Sequence, residues 1–112
     1  MMYLTNAFAL NMLNKFPANV TVEKLDYGEF CAKLTSTDYV NAIGHSATAD
    51  LLSTLCSITV TTNRIAVKVN PGDTLLVVTL LQRLDEGKVL SDREILDMLN
   101  NNKIGFFFVK VS

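Results

Sequence analysis

The chain has 112 residues, 49% of them apolar, with 10 Lys and Arg against 11 Asp and Glu, one histidine and two cysteines. That length supports one domain, residues 1–112, with a real core, and the apolar content excludes a disordered chain. A formal net charge of −1 excludes a generic binder of long DNA or RNA, which carries an excess of Lys and Arg, so an anionic ligand would need a local pocket of positive charge.

Met2 to Thr5 reads as a strand leading into a short helix or turn through Phe8, Met12 and Leu13, with Asn6 as its candidate cap and Pro17 beyond its end. Val20 to Leu25 alternates apolar and polar residues, as a half-buried strand does. Asp26 with Glu29 makes a capping box. The helix after it carries Phe30, Cys31 and Leu34 on its buried face. A β-prone run then leads from Asp38 to Gly44, and a helical pattern starts at Ser46 and continues to about Ser57.

Arg64 to Val69 alternates again and predicts a strand, with Ile65, Val67 and Val69 on one face. Asn70-Pro71-Gly72-Asp73 is a turn signal, so Thr74 to Leu81 is expected to fold back antiparallel; being apolar on both faces, it reads as a central strand. Gln82 to Gly87 ends that run. Ser91 and Glu94 form a second capping box, opening a helix through Ile95, Leu96 and Leu99 that stops at the asparagines 100–102, and Ile104 to Val111 is a last strand. The fold class expected is α/β: a mixed sheet of about five or six strands with helices packed against it.

Cys31 and Cys56 lie in helical patterns without a C-x-x-C partner, and both are read as reduced packing residues. With a single histidine, a zinc site is short of ligands, so neither metal nor cofactor is expected. The run from Leu75 to Leu81 is far shorter than the roughly 20 residues of a spanning helix. Met1 to Thr5 lacks the basic flank of a signal peptide, which predicts a cytoplasmic protein without a membrane partner.

Three polar clusters fall where strands end and helices begin, the usual ligand position in such sheets: Asn6 to Asn11, Gly44 to Ser46, and Gln82 to Glu86. Arg64, at the start of a predicted strand, is within reach of a shared pocket. The central cluster is the most informative. A glycine at a strand-to-helix turn lets backbone approach a ligand, and the amides of a helix's first turn suit an anion. His45, the chain's one histidine, would stand there as an acid or base. The same residues also serve plainer purposes: a surface imidazole at a helix start, Asn6 and Asn11 as caps, and Arg83 and Glu86 as a surface ion pair. Gly44-His45-Ser46-Ala47 is similar in outline to a serine-hydrolase elbow, but the sole histidine is Ser46's own neighbour, which leaves no separate base.

Taken in order, Tyr3-Leu4-Thr5-Asn6-Ala7-Phe8, Leu10-Asn11-Met12-Leu13, Gly44-His45 with Thr48-Ala49, Asn63-Arg64, Val67-Lys68, Pro71-Gly72-Asp73 and the run from Arg83 to Leu90 resemble a small viral and mobile-element family. It was first known from archaeal viruses as a domain of unknown function, and is identified as the type III anti-CRISPR ring nucleases. The resemblance covers nearly the whole chain. It implies a homodimer that binds cyclic tetra-adenylate, the second messenger of type III CRISPR defence, and cuts it to linear di-adenylate. By analogy His45 is the catalytic histidine, Arg83 and Glu86 belong to the active site, and Asn6, Asn11, Arg64 and Gln82 are ligand contacts. Ala9 departs from the family, whose members often carry serine there.

The residues suit that chemistry. Cleaving RNA needs no external nucleophile, because a ribose 2′-oxygen can attack its neighbouring phosphate. The protein must align the attack, stabilise the phosphate charge and protonate the departing 5′-oxygen. An imidazole suits the acid role near neutral pH, and an arginine suits the phosphate clamp. A two-fold dimer would enclose a cyclic tetranucleotide with two copies of one half-site. The rival expectation is a non-catalytic dimer that sequesters a cyclic nucleotide, or a small regulator of protein or DNA.

Overall fold

A computed structural model describes residues 1–81 and 90–112. Among them are five strands in one mixed sheet: β1 (Met2–Thr5), β2 (Val20–Leu25), β3 (Val40–Asn41), β4 (Thr74–Leu80) and β5 (Ile104–Val111). Their order across the sheet is β2-β5-β4-β1-β3. Strand β1 is parallel to both β3 and β4, whereas β5 is antiparallel to both β4 and β2.

In the inner strands β1, β4 and β5 the period-2 pattern decides which residues meet which layer, whereas edge strand β2 leaves Val22 of its expected buried face exposed. Met2, Leu4, Leu76, Val78, Ile104 and Phe106 face one side, where they pack on α1 (Tyr27–Ser36), α2 (Ser46–Cys56) and α3 (Asp92–Asn100). Phe30 is wholly buried there against Phe106, ring centroids 5.0 Å apart. Leu51 and Leu52 of α2 are equally inaccessible. In α3 the buried residues are Ile95 and Met98, and Leu96 of the expected apolar stripe points to solvent.

Leu75, Val77, Val109 and Val111 face the other side, which no helix covers among the described residues. Its cover is a strap of irregular chain: Leu13 with Phe8 and Met12 around a 3-10 turn at Leu10–Met12, and Val67 and Val69. This corrects the strand expected over 64–69. Val67 and Val69 are buried on one side as the alternation predicts, but Ile65 is exposed, and the sole bridge of the segment joins Val69 to Leu13. The physical reason is that a strand has only two edges, and both edges of β4 are taken, by β1 and β5. The turn signal itself is real: Asp73 N–H donates to the Asn70 carbonyl at 3.0 Å and Gly72 sits at φ +96°, where a Cβ would be strained. It connects the strap to β4 and makes no hairpin.

A second correction concerns the cysteines. Cys31 of α1 and Cys56, the last residue of α2, form a disulfide with Cα atoms 5.2 Å apart. Motif spacing could not show this, because the pairing arises from two helices lying side by side on the sheet and not from proximity in sequence.

Candidate functional site

Because β4, β1 and β3 are mutually parallel, their carboxyl ends lie along one edge of the sheet, the usual place for a ligand in an α/β fold. At the end of β1, Thr5 Oγ1 donates to the Ala7 carbonyl (2.9 Å) and accepts from the Ala7 amide (3.2 Å), which turns the chain and leaves Asn6 at the strand end. The run after Tyr39 stays in the sheet for only two residues, with Ala42 N–H just beyond it still donating to the Leu4 carbonyl at 2.8 Å. This is shorter than the strand expected up to Gly44. A third segment, 61–64, lies along it.

Asparagine side chains replace the missing ladder. Asn41 Oδ1 accepts from the Ile43 amide (3.1 Å), Asn63 Nδ2 donates to the Asn41 carbonyl (2.8 Å), and Asn63 N–H donates to the Ile43 carbonyl (2.7 Å). The same contacts shield the β3 edge of the sheet from pairing with another chain.

All three segments meet at Gly44. Asn6 Oδ1 accepts from its amide at 3.0 Å, and Arg64 Nε donates to its carbonyl at 2.6 Å. Asn6 is therefore not the cap of the following turn, whose N-cap is Ala9. The fold does not itself demand a glycine here. A Cβ on Gly44 would make ordinary contacts, 3.5 Å from Arg64 Cγ and 3.8 Å from Asn6 Oδ1, and its φ is outside the left-handed region.

His45 follows as the N-cap of α2, in extended backbone (φ −131°, ψ 125°), half-buried and with Nδ1 buried. Its side chain makes no cap hydrogen bond, and the first turn of α2 holds no acidic residue. Ala47, Thr48 and Ala49 are small and buried, so the start of the helix sits tight against the sheet. The partial positive charge of a helix N-terminus is thus presented beside the imidazole without a neighbouring carboxylate from that turn.

Of the residues expected in the site, Asn6, His45 and Arg64 are brought together around Gly44. Asn11 is exposed in the 3-10 turn, its carbonyl accepting from Lys68 Nζ at 2.9 Å. Gln82, Arg83 and Glu86 lie outside the described residues; the chain reaches them from the carboxyl end of β4. Asn41, Asn63 and Lys68 were not singled out as site residues. Two asparagines within three residues of the site's own glycine and arginine were the available signal for the first two. Among the described residues no three His, Cys, Asp or Glu side chains cluster to hold a metal ion, and no helix is long and apolar enough to cross a membrane.

Residues 2–108 match the family model described as STIV B116-like. The chain is 38% identical over 109 residues to uncharacterized protein ORF116 of Acidianus filamentous virus 1, covering 97% of this chain and 94% of that protein. It is 30% identical over 102 residues to uncharacterized protein 26 of a Sulfolobus islandicus filamentous virus, covering 91% and 86%. Among solved structures, B116 of Sulfolobus turreted icosahedral virus superposes with a TM-score of 0.88 at 47% identity, over 97% of each chain.

Proposed function

The chain belongs to the STIV B116-like family of archaeal virus proteins, and on that premise we propose that it is a metal-independent ring nuclease acting in the host cytoplasm. As a homodimer it binds cyclic tetra-adenylate across the subunit interface and cuts it to linear di-adenylate, antagonising type III CRISPR signalling. The observation that carries the reading is the meeting of Asn6, Gly44-His45 and Arg64 at the carboxyl ends of parallel strands, beside a helix start without acidic residues.

In the proposed reaction a ribose 2′-hydroxyl loses its proton to water and attacks the adjacent phosphorus, closing a 2′,3′-cyclic phosphate; the bond from phosphorus to the 5′-oxygen breaks, and His45 gives that oxygen a proton. Arg83 clamps the phosphate, and Glu86 orients Arg83 or the ribose; the family resemblance puts both in the active site, and their side-chain chemistry suggests the roles. Two half-sites related by a two-fold axis cut the ring twice and release two identical halves.

Incubation with labelled cyclic oligo-adenylates of several ring sizes, in EDTA, tests this. The expected product is di-adenylate ending, at first, in a 2′,3′-cyclic phosphate. Strict dependence on a divalent ion, or products bearing only 5′-phosphates, overturns 2′-oxygen attack. A ring that is bound but never cut assigns sequestration instead. Light scattering after gel filtration should give a dimer, and a monomer both with and without ligand sinks the shared pocket.

A further inference from the structure

We infer that Asn6 and Arg64 are positioning residues that lock the backbone on both sides of Gly44, and so set where His45 and the first turn of α2 point. The geometry is specific. The Gly44 amide belongs to the rigid peptide plane shared with Ile43, and the Gly44 carbonyl to the plane shared with His45. Asn6 holds the first plane and Arg64 the second. With both planes held, the φ and ψ of the glycine between them are held too, although glycine is the residue with most conformational freedom to lose. The second plane contains the His45 nitrogen and Cα, so Arg64 acts one bond from the residue whose direction matters.

The two clamps reach Gly44 from 38 and 20 residues away, from the end of β1 and from the segment after α2. The turn is thereby tied to the sheet on one side and to the strap on the other. Each clamp engages one atom of its side chain. Asn6 Oδ1 is an acceptor and is aimed at an amide, whereas a phosphate calls for donors. Arg64 Nε is spent on a carbonyl.

The inference rests on the ring-nuclease reading for its kinetic arm only. His45 is the one histidine, so its ring proton signals in an NMR spectrum assign themselves. In the free wild-type protein they should form one sharp set. Asn6→Ala and Arg64→Ala should double or broaden them, while Asn6→Asp, which keeps an acceptor facing the Gly44 amide, should restore a single set. Arg64→Lys has no donor at the Nε position and should not. In single-turnover cleavage of cyclic tetra-adenylate, the alanine variants should lose about 10²-fold in rate, the scale of a misplaced catalytic group. The loss should appear in the rate of the bound ring, measured at saturating enzyme, whatever the change in dissociation constant.

Unchanged His45 signals with a normal rate for the bound ring would overturn the inference and leave both residues as ligand contacts alone. Should an alanine variant fail to fold, Asn6→Asp and Arg64→Lys decide the question by the same signals, Arg64→Lys keeping a sharp wild-type set only if the clamp is unimportant. If wild type cleaves no cyclic oligo-adenylate, the functional reading fails, and the NMR arm still decides the clamp.

Discussion

Helices α1 and α3 start in one way and α2 in another. In α1 the Asp26 carboxylate accepts from the Glu29 amide at 2.7 Å, and Glu29 Oε1 accepts in return from the Asp26 amide at 3.1 Å. In α3 Ser91 and Glu94 repeat the exchange at 3.2 Å each way. Both helices so satisfy their own first amides and place carboxylates against the positive end of the helix dipole. Helix α2 has His45 at that position, no side-chain cap bond and no acid in its first turn. The two capped starts are settled for stability. The α2 start lacks a feature worth about 1 kcal/mol to a helix, and what it presents instead is a neutral first turn next to an imidazole. Departures from local optimum of this kind concentrate where function is carried.

The largest expected effect lies at the uncapped start. His45→Ala should slow cleavage of cyclic tetra-adenylate by about 10²–10⁴-fold, the range of general acid catalysis. Binding should hardly change, because the proton is needed only as charge develops on the leaving oxygen. Single-turnover rates beside dissociation constants measure this, and a rate within about threefold of wild type, far below that range, would make His45 a structural cap like Asp26 and erase the contrast.

Next comes the opposite end of α2. The disulfide to Cys31 ties the helix to α1, so the helix is anchored at the end away from the site. Replacing both cysteines by serine should lower stability by about 2–4 kcal/mol, read from denaturant midpoints. Cleavage well below the new melting temperature should persist. A loss of activity in the still-folded protein would mean that the anchor is transmitted to the His45 end.

The capped starts should then behave as structure alone. Asp26→Ala is expected to cost about 0.5–2 kcal/mol, the worth of an N-cap, with turnover unchanged. A fall in turnover there would show that the acidic helix ends are not mere scaffolding.

The smallest stability effect should come from Gly44→Ala. Since a Cβ there meets only ordinary contacts, a thermal melt should show stability unchanged or raised by up to about 1 kcal/mol, through the unfolded chain. If backbone must approach the ring at this turn, affinity should drop even so. A clean melt with unaltered binding would leave glycine at this position without a ligand role.

Periodicity and capping chemistry are local, and what depends on them was legible in the residues: β1, β5, the extent of β2 (though Val22 of its expected buried face is exposed), the buried core of β4, the starts of α1 and α3, and the strand-to-helix turn at Gly44-His45. An Asp26/Glu29 exchange closes within three residues whatever the rest of the chain does. What required the folded chain were the pairings of distant segments. Alternation at Val67 and Val69 correctly marks a buried side, yet it cannot say that both edges of β4 are already occupied, so a strand was expected where a strap lies. Cys31 and Cys56 carry no mutual signal in sequence, and become partners only because α1 and α2 pack side by side. Asn6, named as a cap or a ligand contact, is committed to Gly44 by the parallel register of β1 and β3, 38 residues apart in the chain. The chemistry at a residue's position is written in its side chain; the atom it meets is decided by which strands share an edge.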